Sequence, residues 1–136
     1  MTKTRRRTLA IALTGVVLAA VVAIAYAVGG GEDRVALKAA SDRYQIELYL
    51  GEQRTGPIDA ELVVRDTGGR PAELSGITLA GVMPSMGHAM SELTATATAP
   101  GRYAVRGELF TMTGQWEVVV RLGGSHEITV PVTVTR

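Results

Sequence analysis

The sequence contains no cysteine. No disulfide can brace the fold, no lipid anchor can form on a thiol, and thiolate metal sites and CxxC redox chemistry are excluded. Histidine is scarce, with two residues, and aromatic residues make up 4% of the chain. Acid is missing from the first 31 residues, which hold Lys3, Arg5, Arg6 and Arg7 and so carry +4. The other 10 basic residues and all 13 acids fall in residues 32–136, which carry −3, so the overall +1 averages two unlike pieces. The acidic piece has no clustered Lys/Arg face, which argues against a nucleic-acid partner. Two histidines, no cysteine and scattered carboxylates offer no nucleophile with a base and an orienting group, so an enzyme is not expected. Ser85 lies near His88 without a third partner. Gly87 is followed by neither a lysine nor a helix start, so it is no phosphate loop.

Charge is also missing from residues 8–28, a run of 21 mostly apolar residues. About 20 helical residues cross a bilayer core. Arg5, Arg6 and Arg7 precede the run, and Glu32 and Asp33 follow it. That bias keeps the N-terminus cytoplasmic and sends the remainder across. The expected organisation is a cytoplasmic tail (1–7), a transmembrane signal-anchor (8–28), a glycine-rich linker (29–34) and one extracytoplasmic domain (35–136). A cleaved signal peptide is the competing reading, because Ala25-Tyr26-Ala27 has the small-x-small form of a cleavage site. The apolar run exceeds a usual signal core, which favours the uncleaved anchor. The location expected is a cell (inner) membrane, crossed once.

Beyond Gly29-Gly30-Gly31 the periodicity changes. Tyr44, Ile46, Leu48 and Leu50 alternate with Gln45, Glu47 and Tyr49, and Ile58, Ala60, Leu62 and Val64 alternate with Asp59, Glu61 and Val63. Tyr103, Val105 and Gly107 share a face, as do Trp116, Val118, Val120 and Leu122, and Ile128, Val130, Val132 and Val134. Period two with one apolar face means strands packed on one side. Turn chemistry separates them at Thr67-Gly68-Gly69-Arg70-Pro71, Ala99-Pro100-Gly101-Arg102 and Gly123-Gly124-Ser125. Seven or so short strands in about 105 residues predict an all-β, immunoglobulin-like antiparallel β-sandwich, here preceded by one N-terminal transmembrane helix. Tyr103 reads either as a tyrosine corner or as an ordinary core tyrosine. Trp116 reads as a core residue whose indole N–H needs a partner.

Three of the four methionines beyond the initiator crowd into Met83-Pro84-Ser85-Met86-Gly87-His88-Ala89-Met90. Proline and glycine make this stretch a poor helix and a poor central strand, so it is expected to be a connecting loop. Met112 lies in a second loop-like stretch, Phe110-Thr111-Met112-Thr113-Gly114. Thioether sulfur is a soft, neutral donor that favours Cu(I), and imidazole binds either copper state. Met83, Met86, His88, Met90 and Met112 are therefore the candidate metal ligands. The alternative is packing, since methionine fills irregular gaps at the end of a sandwich. His126 follows a Gly-Gly turn and reads as a solvated turn residue.

The stretch from Val82 to Met90, then Pro100-Gly101-Arg102-Tyr103, then Met112-Thr113-Gly114-Gln115-Trp116-Glu117-Val118 together resemble the YtkA-like domain, a relative of FixH-type proteins. The resemblance covers about residues 36–134. It implies an immunoglobulin-like sandwich, often behind one membrane anchor, with an association with copper handling and terminal-oxidase assembly. Carried over residue by residue, it marks Met83, Met86, His88 and Met90, with Met112 and Trp116 from the last piece. The departure is the lack of a cysteine or a histidine-rich tail, which weighs against a tight Cu(II) site. Two functions are expected from this. One is an extracytoplasmic Cu(I)-binding or copper-delivery module. The other is a non-metal domain that docks on a membrane complex, such as an oxidase, through its methionine-rich loop.

Overall fold

Alternating apolar residues return to the same face every second position, so each such run can bury one side of a strand. The computed structural model describes residues 34–136. The expected tail, the expected span at 8–28 and most of the linker lie outside the described residues. Among the described residues no helix is long and apolar enough to cross a membrane. The described chain is all-β, with β1 (Val35–Ala40), β2 (Tyr44–Leu50), β3 (Pro57–Asp66), β4 (Thr78–Met83), β5 (His88–Ala89), β6 (Leu93–Thr94), β7 (Thr96–Ala99), β8 (Arg102–Glu108), β9 (Gly114–Leu122) and β10 (His126–Val134). One 3₁₀ turn, η1 (Pro84–Met86), joins β4 to β5.

The strands form two antiparallel sheets, ordered β1-β2-β3-β8-β7 and β10-β9-β4-β5, with β6 also paired to β4. The run β2-β3-β8-β7 against β10-β9-β4 follows the ABED and CFG orders of an immunoglobulin-type sandwich. The four-residue faces expected from β2, β3, β9 and β10 point inward except that Tyr44 is only half-buried. They meet in one continuous core that also takes in Leu79 and Met83 of β4 and Leu109 and Phe110.

Tyr103 combines core packing with a polar tether, in an arrangement that differs from a tyrosine corner. It sits on β8 rather than at the start of β9, is buried, and donates its phenol to Ala72 O at 2.9 Å. The same oxygen accepts the N–H of Leu74 at 2.8 Å. The phenol thus pins the β3–β4 crossover, 29 to 31 residues upstream, to the sheet it leaves. Removing the hydroxyl leaves both backbone groups without this partner, and an unmade buried hydrogen bond costs about 1–3 kcal/mol. Tyr103→Phe should therefore lower the urea midpoint by that equivalent while keeping the parent's far-ultraviolet spectrum. A midpoint equal to the parent's would mean that water replaces the phenol at no cost.

Candidate functional site

The methionine–histidine stretch begins inside a strand. On β4 the inward positions are Leu79, Gly81 and Met83, with Met83 the last residue of the strand and 4% exposed. Pro84 has no N–H with which to continue the ladder, and the chain turns through η1. Gly87 closes the turn at φ 60°, a left-handed conformation that glycine adopts freely, and its N–H reaches Pro84 O at 3.2 Å. The chain returns as β5, placing His88 opposite Met83 and Ala89 opposite Val82. The expected connecting loop is thus corrected to a tight hairpin. The inward alternation of β4 runs through Met83, and proline and glycine then supply a short turn instead of an open crossing. Beyond β5, the N–H of Met90 donates to Gly81 O at 2.8 Å, which ties the hairpin back to β4.

The second piece comes from the link between β8 and β9. Leu109 and Phe110 are fully buried, and the chain then emerges so that Met112 is 40% exposed before re-entering as β9. Trp116, on β9, is 1% exposed. Its indole N–H donates to Met112 O at 2.9 Å, which fixes the shape of this link. Phe110 meets the indole edge-on with centroids 5.6 Å apart, and His88 does so from the hairpin at 6.1 Å. The methyl of Met83 lies over Gly114, 3.1 Å from where a side-chain carbon would be. Hairpin and link therefore share one end of the sandwich.

Of the five candidate ligands, Met86 and Met112 are exposed at 66% and 40%, His88 is exposed, Met90 is half-buried and Met83 is buried. Met83, His88 and the Met112–Trp116 segment are drawn together around the indole, while Met86 stands at the tip of the turn, open to solvent. Among the described residues no three His, Cys, Asp or Glu side chains converge. Thioethers plus one imidazole suit a soft monovalent ion such as Cu(I). Two thioethers and an imidazole can be reached without opening the core.

The rings that meet Trp116, Phe110 and His88, have no clear signal in the sequence. Nothing in a two-residue apolar step, Leu109-Phe110, distinguishes a loop that dips into the core from a strand end. The register of His88 against Met83 depends on the hairpin, and the Pro84-to-Gly87 spacing is the signal that carries it.

No curated protein and no solved structure is detectably similar to the chain. A family model described as YtkA-like matches residues 32–121, which include the hairpin, Tyr103 and all but the last residue of β9. The chain belongs to the YtkA-like family.

Proposed function

We propose that this protein is a membrane-anchored extracytoplasmic module that binds or delivers copper as Cu(I), in the service of copper homeostasis or oxidase assembly. The observation that supports this most is the exposure of Met86, His88 and Met112 at one end of the sandwich, with His88 and the Met112 backbone held against a buried tryptophan. Met83 and Met90 belong to the same hairpin and could complete the donor set after a local adjustment. Cu(I) needs few ligands and tolerates irregular geometry, and neutral thioethers bind it without losing a proton. The affinity should be modest, since thioethers lack the charge of thiolates. In this reading the protein is a binder rather than an enzyme, and its domain works outside the cytoplasm.

The test is a Cu(I) titration against a competing chelator, followed through the emission of Trp116, the single tryptophan. The parent should bind Cu(I) in preference to Zn(II). Met86→Leu nearly preserves volume, so lost affinity there reports ligation rather than packing. Met86→Leu and His88→Ala should each weaken binding by about tenfold or more, or at least about 1.4 kcal/mol. A parent that binds no Cu(I), or two variants that bind like the parent, would remove the copper reading. The exposed methionines would then be adaptable contacts for a docking partner.

A further inference from the structure

The two outer faces of the sandwich differ in how their acids are satisfied. Four carboxylates among the described residues are half-buried: Glu47, Glu61, Asp66 and Glu117. On the outer face of β2 and β3, Glu47 accepts the Tyr49 phenol and Arg65, which hold its carboxyl below the usual range, and Glu61 pairs with Arg102 at 2.6 Å and Arg34 at 3.4 Å. Asp66 accepts the backbone N–H groups of Gly68 and Arg70. Glu117 alone has no ion pair or side-chain hydrogen bond among the described residues.

Its surroundings make this unusual. Glu117 lies on the outer face of β9, directly opposite Pro131 of β10 and Val82 of β4. Ala89 continues that row on β5, and Thr129, Val119 and Ala80 form the next. Residues opposite one another in an antiparallel pair share a face. One carboxylate is thus set in a neutral patch of proline, valine, alanine and threonine. The patch is bounded by the Thr133–Gln115 hydrogen bond at one end and by Arg121, paired with Glu127 and Glu92, at the other.

We propose that this face docks a partner protein that presents an arginine or lysine among apolar side chains, with the cation on Glu117. Covering the patch with a purely apolar partner would strand a buried carboxylate, which is strongly unfavourable. An arginine suits the site best, because its stem packs on Val82 and Val119 while its guanidinium forks onto the carboxylate. A second copy joined about a two-fold axis at Glu117 would bring one carboxylate against the other, and Arg121, the cation bordering the patch, is already paired with Glu127 and Glu92, so the occupant is a different protein. This inference is independent of copper, since Glu117 is on the face opposite Met83 and His88.

The experiment places a photo-crosslinking benzophenone amino acid at Thr129 in the full chain, made at its native level in its own cells. After illumination, the adduct is mapped by mass spectrometry. The partner peptide should contain an arginine or lysine within an apolar stretch. Glu117→Arg should reduce the adduct by about tenfold or more, and exchanging the partner's base for glutamate should restore it. Glu117→Gln should melt no lower than the parent, because the acid has no internal partner to lose. The proposal is overturned by any of four results: no adduct, an adduct with a second copy of this chain, a partner peptide without a base, or an adduct indifferent to Glu117→Arg. A clearly lowered melting point for Glu117→Gln would also overturn it, by assigning the carboxylate an internal role.

Discussion

Trp116→Ala is expected to remove about 3–5 kcal/mol of folding stability, a large part of what a small domain has. The indole is 1% exposed and is boxed by Phe110 at 5.6 Å and His88 at 6.1 Å. Truncation loses the transfer energy of the largest side chain in the core and leaves a cavity that a β-sheet, held by its ladder, cannot close. It also releases Met112 O, whose hydrogen bond holds the β8–β9 link in place. The cost has two separable parts. Trp116→Phe keeps most of the apolar volume but lacks the N–H, so it should recover more than half of the loss. The measurement is urea unfolding followed by far-ultraviolet circular dichroism, because the variants lack the only tryptophan. An alanine variant as stable as the parent would mean that the ring is not an organising element of the core. The same substitution should weaken any Cu(I) binding at His88 and Met112, since both are held against the indole.

The strands most plainly legible in the sequence are those whose inward positions all carry large side chains. Ile46-Leu48-Leu50 on β2 and Trp116-Val118-Val120-Leu122 on β9 display period two because both neighbours and the facing sheet cover them. β1 escaped notice because Val35-Ala36-Leu37-Lys38-Ala39-Ala40 is alanine-rich and has one pairing partner, so its two faces differ little. β4 escaped notice for a different reason. Its inward row is Leu79, Gly81 and Met83, with no side chain at the centre, and the pattern of a buried strand is broken where the packing is closest. The donor residues of the candidate site were visible as residue types. Their accessibility was not, because assigning Met83 to the core and His88 to the rim requires knowing where β4 ends. Tyr103 shows the same limit. Its burial followed from alternation, but its partners at Ala72 and Leu74 lie in a crossover with no periodicity of its own.

Gly81→Ala should be as damaging as many large-to-small core substitutions, although it adds one methyl group. A side-chain carbon at Gly81 would stand 1.9 Å from the carbonyl oxygen of Leu109 and 2.9 Å from its carbonyl carbon. These are backbone atoms of the link that carries Phe110 into the core, so they cannot swing aside as a flexible side chain would. The Trp116 ring lies 3.4 Å away and closes the other direction. Relief requires β4 and the Leu109 segment to separate, and overpacking of this kind costs about 1–3 kcal/mol, occasionally more. With backbone on the receiving side, the upper end of that range or above is expected. The matched control is Gly51→Ala, a half-buried position where a side-chain carbon meets nothing within 4 Å, and substitutions away from packed features shift stability by about 0.5 kcal/mol or less. Urea midpoints for the two variants should therefore diverge, with Gly51→Ala close to the parent and Gly81→Ala far below it. Gly81 O also accepts the N–H of Met90, so a displaced β4 takes the hairpin with it. On the proposed copper reading, Cu(I) affinity should then fall in Gly81→Ala even at temperatures where the variant remains folded. If the two glycine variants unfold at the same urea concentration, the close approach of Leu109 to β4 is not a constraint on this fold, and the blank centre of the β4 inward row needs another cause.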